Sequence, residues 1–349
     1  MKILKPILLS SVMIIAGASL AQAQQMVTVK VGMARSLASL GTYIGMEKGY
    51  FKEVGINVEI IDLDSSADAM AILAQGSMQM IEGGISAGFF NALDRNLPIV
   101  IAADRTSSPI GHKILVRSDL KDKIKSIKDL KGTITTTNGA GSISLYETGK
   151  VLESAGLSIK DVEVKVMPFP QLVVAFKNRA IDSALTITPW SHSLPEAGDA
   201  FELLDTDDVI KPFPIQIAGV LVNTDWAKDN KEVAKKYFVA YQRAVRDFCQ
   251  AYHMDPQARE EAVQIATRTG VERRPEFLNK FPWAGRDVTG NVNKASLLDS
   301  QKWFRENGFT KANLPIERIA TTEYIDYANQ QLGPFVLKNT ASTLKNCGK

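Results

Sequence analysis

The most constraining feature of this 349-residue chain is the order strand, helix, glycine turn and strand near its N-terminus. A β-branched run at 27–33 predicts the first strand, and the apolar residues of 43–53 recur at helical spacing. Gly49 and Gly55 interrupt the helical pattern before a second strand at 58–62. This order is typical of a βαβ unit, so the sequence predicts an α/β fold.

The alternation continues along the chain. Further strands are predicted at 78–82, 99–103, 133–137, 162–167, 183–187 and 215–222. Helices are predicted at 67–75, 87–94, 143–153, 171–178, 231–252, 256–269, 294–307 and 316–331. We therefore expect mainly parallel sheets, a helical C-terminal region, and two chain crossings between lobes, near 104–117 and near 212–223.

Two segments carry a family resemblance. Gly49-Tyr50-Phe51, followed by Gly55-Ile56 and Val58-Glu59, resembles the opening signature of the sulfonate, nitrate, taurine and thiamine-pyrimidine family of periplasmic ABC-transporter substrate-binding proteins. Residues 125–131 resemble the lead-in to the second lobe of that family. The resemblance implies a two-lobed type II periplasmic binding protein fold. Lobe 1 would hold 27–110 and 220–349, and lobe 2 would hold 111–219.

The first 23 residues have the pattern of a secretory signal peptide. Lys2 and Lys5 precede an uncharged, mainly apolar stretch at 7–20, and 21–23 (Ala-Gln-Ala) supply the small residues of a cleavage site. A membrane anchor is the alternative, but the stretch is shorter than the roughly 20 residues that span a bilayer. The residue directly after the cleavage point is Gln24 and not a cysteine, so we expect a soluble periplasmic protein that is not a lipoprotein.

Charge and cysteine content exclude several classes. Removing Lys2 and Lys5 from the 41 basic residues leaves 39 against 38 acidic residues, and the basic residues do not cluster, so no nucleic-acid partner is expected. We hypothesise that Cys249 and Cys347 form one disulfide bond in an oxidising compartment, with two free thiols as the alternative. No structural zinc site and no cofactor are indicated by these cysteines and the three histidines.

In open α/β sheets, ligands bind beyond the carboxyl ends of the strands, so the loops there hold the candidate ligand-binding residues. Arg35, Ser36 and Leu37 follow the first strand. An arginine there could form two parallel hydrogen bonds to a carboxylate or sulfonate, although a loop arginine is more often only solvated. Ile85 and Ser86 follow the third strand, and Ser86 can cap the next helix.

The second lobe offers two further candidate turns. The first contains Asn138, Gly139, Gly141 and Ser142. It lies between a strand and a helix, where free amides and the helix dipole favour an anion. The second contains Thr188 and Trp190, and the indole could stack on a flat ligand or belong to the core.

Two histidines and an adjacent aspartate–arginine pair are further polar candidates. His112 and His192 are candidate polar contacts, although a lone histidine is more often a surface or satisfied residue. Asp104 and Arg105 are expected to form a local ion pair at the hinge, with ligand contact as the alternative. No serine elbow, zinc-protease helix or cysteine–histidine pair points to catalysis, so no catalytic residue is predicted.

The resemblance implies a monomeric binding protein that delivers a small-molecule ligand to an inner-membrane ABC permease. Arg35 and the two helix N-termini favour a sulfonate or carboxylate. A neutral thiamine-precursor pyrimidine, or a similar heterocycle, is the alternative ligand. A pyrimidine-synthesising enzyme and a sensory binding protein are further alternatives.

Overall fold

The computed structural model describes residues 26–63, 66, 69–253, 255–281, 283–336 and 347. The predicted signal peptide lies outside these residues. The strands are β1 Val27–Met33, β2 Ile56–Asp62, β3 Met80–Gly84, β4 Ile99–Ser107, β5 Lys113–Arg117, β6 Ile134–Thr137, β7 Glu163–Val166, β8 Ser183–Thr186, β9 Ala200–Asp205 and β10 Gln216–Asn223.

The helices alternate with these strands and then dominate the C-terminal third. They are α1 Leu40–Glu47, α2 Tyr50–Glu53, α3 Met70–Ala74, α4 Ala87–Asp94, α5 Ile143–Ser154, α6 Leu172–Lys177, α7 Trp190–Glu196, α8 Thr206–Val209, α9 Thr224–Asp229, α10 Lys231–Tyr252, α11 Pro256–Arg268, α12 Pro275–Lys280, α13 Lys294–Glu306, α14 Ile316–Ile319 and α15 Glu323–Leu332. The predicted helix at 43–53 is divided because Gly49 adopts a left-handed conformation with φ of 77°. The predicted helix at 316–331 is also divided, because Ala320 forms a β-bridge with Ile101.

The first lobe is built on a five-stranded sheet with the order β2-β1-β3-β10-β4. β1 pairs in parallel with β2 and β3, whereas β10 runs antiparallel to β3 and β4. Four of the five strands therefore run in one direction, which confirms the prediction of a mainly parallel sheet for this lobe. The prediction is wrong for the second lobe, whose three-stranded sheet is antiparallel. β10 enters from the second lobe, so it crosses the sheet in the opposite direction from its neighbours.

The second lobe contains an antiparallel sheet, β8-β5-β9, and a parallel pair, β6-β7. β5 lies within a segment predicted to be a hinge crossing, and β9 was not predicted. Hydrophobic residues of β5 are buried, including Ile114, Leu115 and Val116. A charged residue at each end of this short strand made it resemble a connecting segment.

The two crossings between the lobes lie side by side. Ser108 N donates to Ile215 O at 3.0 Å, and Ile215 N donates to Ser108 Oγ at 2.9 Å. A C-terminal segment lies against the same place, because Ser107 N donates to Gly285 O at 3.1 Å and Asp104 N donates to Gly290 O at 2.7 Å. The hinge is thus hydrogen-bonded to a third stretch of chain.

The C-terminal helices contact both lobes. α10 packs along α1 and α15, and α13 packs against both α4 and α5. Trp303 of α13 donates through Nε1 to Glu153 of α5 at 2.7 Å. Cys249 in α10 is bonded to Cys347, with the two Cα atoms 5.1 Å apart, which confirms the predicted disulfide.

Candidate functional site

A cleft of about 840 Å³ lies between the two lobes. Its first wall is formed where β1, β3 and β4 end, and its second wall where α5 and α7 begin. Eight of the candidate residues line it: Arg35, Ser36, Leu37, Ser86, Asn138, Ser142, Thr188 and Trp190. The rule that ligands bind beyond the carboxyl ends of strands, called the strand-end rule below, therefore selected residues that line the cleft. Their contact with a ligand stays a prediction.

The other three candidates, Ile85, Gly139 and Gly141, are not among the residues that line the cleft. Ile85 is fully buried in the hydrophobic core. Gly141 O accepts a hydrogen bond from Ala87 N at 2.9 Å, so the turn between β6 and α5 touches the start of α4. Gly139 O accepts from Ser142 N at 3.1 Å, and this bond shapes the same turn.

The cleft mouth carries an exposed ion pair, Arg35 with Asp62. Arg35 Nη2 donates to Asp62 Oδ2 at 3.0 Å, and Nη1 donates to Thr269 O at 2.7 Å. The two side chains of the pair are 44% and 60% exposed. The hydrogen bond to Asp62 raises the pKa of Arg35. Both ends of the guanidinium are therefore engaged within the protein.

The cleft floor carries a buried ion pair, Arg105 with Glu82. Arg105 Nε lies 3.7 Å from Glu82 Oε2, and Nη2 donates to Ser39 Oγ at 2.6 Å. Thr42 Oγ1 donates to Glu82 Oε1 at 2.6 Å. Burial raises the pKa of Glu82, and the charge of Arg105 partly offsets that rise. Burial also lowers the pKa of Arg105.

The prediction of an ion pair between Asp104 and Arg105 is wrong. Arg105 lines the cleft and pairs with Glu82, whereas Asp104 is not among the lining residues. Asp104 instead accepts hydrogen bonds at 2.5 Å from both Gln216 Nε2 and Asp287 N. Burial raises the pKa of Asp104 to about 7.

His112 lines the cleft and is paired with Glu147 of α5. The distance from His112 Nδ1 to Glu147 Oε1 is 2.9 Å. Burial lowers the pKa of His112, but the Glu147 carboxylate more than offsets this effect, so the net shift is upward. His192 does not line the cleft and instead stacks on Phe281, with ring centroids 4.2 Å apart.

Hydroxyl groups gather at the N-terminus of α5. Ser142 Oγ lies 2.8 Å from Thr137 Oγ1 and 2.9 Å from Ser144 Oγ, and Ser144 Oγ donates to Asn138 Oδ1 at 2.7 Å. This 12-residue helix directs the positive end of its dipole toward the cleft. Across the cleft, Ser86 Oγ accepts from Phe89 N at 3.3 Å, which confirms the predicted cap of α4.

An aromatic pair forms another part of the second wall. Trp190 stacks on Phe169 with ring centroids 5.7 Å apart and an interplanar angle of 21°. Trp190 is only partly buried, and both rings line the cleft. Phe169 was missed, although its position between Pro168 and Pro170, just after a predicted strand, marked it as a loop aromatic.

Three lining residues with carboxylates were also missed: Asp62, Glu82 and Glu147. Asp62 and Glu82 stand at the ends of predicted strands, so the strand-end rule could have found them. Glu147 lies within a helix, and its partner His112 is 35 residues away in the sequence. No local pattern connects the two.

Fold and cleft together define a two-lobed periplasmic binding protein architecture. The chain belongs to the NMT1/THI5-like family, whose family model matches residues 37–256. A curated relative, bicarbonate transport ATP-binding protein CmpC of Synechocystis sp., is 21% identical over 288 residues. The match covers 74% of this chain and 40% of that relative, so the chain spans well under half of its length.

Solved structures share the fold. The periplasmic nitrate-binding protein NrtA from Synechocystis is 17% identical with a TM-score of 0.69, and the match covers 88% of this chain and 89% of that one. For the periplasmic aliphatic sulphonate-binding protein SsuA from Escherichia coli, the identity is 16%, the TM-score 0.67 and the coverage 84% and 92%. The desulfurization enzyme DSZB is also similar, at 12% identity and a TM-score of 0.63, with 87% of this chain and all of that chain covered.

Two features are absent from the part of the chain that the structure describes. Within those residues, no helix is both long and apolar enough to cross a bilayer. The same residues contain no group of three or more histidine, cysteine, aspartate or glutamate side chains that could hold a metal ion.

Proposed function

We propose that this protein is an extracytoplasmic solute-binding protein that delivers a small organic anion, of the sulfonate or carboxylate type, to an ABC importer. The observation that carries the proposal is the cleft of about 840 Å³ between two lobes, with Arg105 in its floor and the N-terminus of α5 in its opposite wall. A cation and a helix N-terminus that face one space both favour a negative charge there. Nitrate- and sulphonate-binding proteins have the same fold.

The ligand would act by closing the cleft. Residues of the first lobe would contact one side of the ligand: Arg35, Ser36, Leu37 and Ser86. Residues of the second lobe would contact the other side: Asn138, Ser142, Thr188 and Trp190. Ile85, Gly139 and Gly141 would shape these walls from behind. A ligand that touches both lobes stabilises the closed form through contacts that the open form lacks, and the permease would recognise that form.

The proposed site of action is the periplasm. The predicted signal peptide would direct the chain there, and the monomer would meet its permease only transiently. In a Gram-negative host, the chain expressed with its own leader should appear in the osmotic-shock fraction and begin at Gln24. Recovery in the membrane fraction after a high-salt wash would contradict this proposal.

A neutral heterocycle is the second candidate ligand. The stack of Trp190 on Phe169 favours a flat ring system, and the carboxylates of Asp62 and Glu82 offset the two arginines of the first wall. A thiamine-precursor pyrimidine has this flat, neutral character.

A catalytic function is not proposed, although an enzyme shares the fold. The cleft residues are explained by binding, and no nucleophile stands beside a base in the positions that the sequence singled out. Incubation of the protein with any ligand that it binds, followed by mass spectrometry of the ligand, tests this view. Conversion of the ligand would contradict it.

A thermal-shift screen tests the binding function directly. The panel contains alkyl and aryl sulfonates, aromatic and aliphatic carboxylates, nitrate and pyrimidines. A ligand at 100 times its dissociation constant stabilises the native state by about 2.7 kcal/mol, which a melting curve resolves. We expect sulfonates or carboxylates to raise the melting temperature. Stabilisation by pyrimidines alone would favour the second candidate, and no stabilisation by any class would contradict the binding function.

A further inference from the structure

Two basic side chains of the cleft, Arg105 and His112, each lie against a buried carboxylate. Arg105, which is 7% exposed, lies 3.7 Å from Glu82. His112, which is 9% exposed, lies 2.9 Å from Glu147. Glu82 is 2% exposed and Glu147 is 0% exposed. A buried carboxylate without a partner is costly, so each one favours the charged form of its neighbour.

Most N–H donors of Arg105 make no hydrogen bond within the described residues. A guanidinium carries five N–H groups, and among the described residues the hydrogen bond of Arg105 is the one from Nη2 to Ser39 Oγ, at 2.6 Å. Its Nε is buried without a hydrogen-bond partner, and so is the hydroxyl of Thr106, the next residue in the cleft lining. Arg105 Nε faces Glu82 Oε2 at 3.7 Å, so the donors left for a ligand are the N–H groups of the two terminal nitrogens that do not bond to Ser39.

Arg35 differs from Arg105 in this respect. Its guanidinium donates to both the Asp62 carboxylate and the carbonyl of Thr269. A ligand acid would have to compete with these acceptors at the exposed mouth. At the floor, the ligand would instead satisfy donors that the protein leaves open.

His112 can donate a second hydrogen bond only when it is protonated. Its Nδ1 faces Glu147, so the neutral ring that donates to this carboxylate has Nε2 as an acceptor. The charged groups around the ring come from three elements, with Glu147 on α5, Asp207 on α8 and Asp205 at the end of β9. All three are carboxylates. Although burial opposes the charged ring, they raise its pKa above the ordinary value.

We propose that Arg105 and His112 form the acid-binding subsite of the cleft, and that an organic acid binds there with uptake of one proton at His112. The inference rests on the proposed function, because it names the residues that recognise the charge of the ligand. The solvent supplies the proton, which forms the Nε2–H bond of the imidazolium. This N–H and the open donors of Arg105 bind the acid oxygens, and no bond of the ligand is broken.

Calorimetric titration in two buffers tests the proton uptake. Benzenesulfonate and benzoate are the acid probes, and 4-aminopyrimidine is the neutral probe. At about pH 8, the heat of acid binding should differ between triethanolamine and Tris, two amine buffers that release a proton with different enthalpies and supply no competing oxyanion. His112→Gln should bind the acids more weakly and remove the difference. Buffer-independent heat in the unaltered protein would overturn the proposal.

Variants of the floor pair test the role of Arg105. Arg105→Lys keeps a positive charge beside Glu82 but loses the planar fork, so acid affinity should fall roughly 10- to 150-fold, as for a lost hydrogen bond to a charged group. Glu82→Gln removes the competing carboxylate, so acid affinity should rise severalfold. The control is Arg243→Gln, which removes an arginine paired with Glu53 outside the cleft and should leave affinity unchanged.

The outcomes separate the subsite from the function. If Arg105→Lys does not fold, Glu82→Gln still decides, because weaker or unchanged acid binding in that variant would overturn the proposal. Binding of 4-aminopyrimidine without binding of either acid would overturn the acid subsite and leave a solute-binding function standing. Unchanged acid affinity in a folded Arg105→Lys variant would also overturn the subsite.

Discussion

The cleft contains two arginine–carboxylate pairs that differ mainly in burial. At the mouth, Arg35 and Asp62 are 3.0 Å apart with side chains 44% and 60% exposed. At the floor, Arg105 and Glu82 are 3.7 Å apart with side chains 8% and 1% exposed. The shorter distance belongs to the weaker pair, because water screens exposed charges and a buried charge depends on its partner. Burial, rather than distance, therefore decides which of the two arginines contributes more to stability.

Removal of each arginine should give the largest contrast. Arg105→Ala leaves Glu82 buried without its partner and should lower the free energy of unfolding by about 3 to 5 kcal/mol. Arg35→Ala breaks an exposed pair and should cost about 0 to 1 kcal/mol. Urea denaturation of both variants at neutral pH measures the difference. Equal losses of unfolding free energy in the two variants would contradict the ranking by burial.

The stability of the protein should also depend on pH through Asp104, which is buried next to Arg105 in β4. Burial raises the pKa of Asp104 to about 7, so between about pH 4 and 7 the native state holds a proton that the unfolded state has lost. Stability from this group is fully present at the acidic end and is lost as the pH rises to 7, by at most about 1.4 kcal/mol per pH unit.

Denaturation at several pH values measures this slope. Asp104→Asn should flatten it by about one proton, whereas Arg35→Gln at the mouth should leave it unchanged. The same slope in the Asn variant and in the unaltered protein would show that Asp104 does not titrate in this range.

The aromatic wall should have a smaller effect, and one that depends on the ligand. Trp190→Ala removes the stack on Phe169, so it should weaken benzenesulfonate by about 0.5 to 1.5 kcal/mol and butanesulfonate by less. Calorimetric titration of both ligands checks this expectation. If Trp190 is a core residue instead, the variant will lose about 3 to 5 kcal/mol of stability without ligand.

Local patterns predicted much of the fold. The first strand and the helices at 87–94 and 231–252 have the bounds of β1, α4 and α10. β5 and β9 were missed because short strands of an antiparallel sheet carry little periodicity of their own. The direction of β10 depends on where the chain returns between the lobes, and the residues of that strand do not encode this.

The candidate site was also predictable only in part. Loops after strands are visible in the sequence, so Arg35 and Ser86 could be selected. The role of Arg105 in the cleft floor could not be predicted. All nine residues of β4 are buried, so alternation does not identify the face that meets a cleft. The pairing of His112 with Glu147 exists only in the folded chain.

The central claim is that the buried arginine, rather than the exposed one, recognises the acid group of the ligand. The dissociation constant of benzenesulfonate, measured by calorimetry for Arg105→Lys and Arg35→Lys under the same conditions, tests it most directly. We predict that the affinity lost at Arg105 is at least about tenfold greater than the affinity lost at Arg35. An equal loss at the two positions, or a greater loss at Arg35, would contradict the claim.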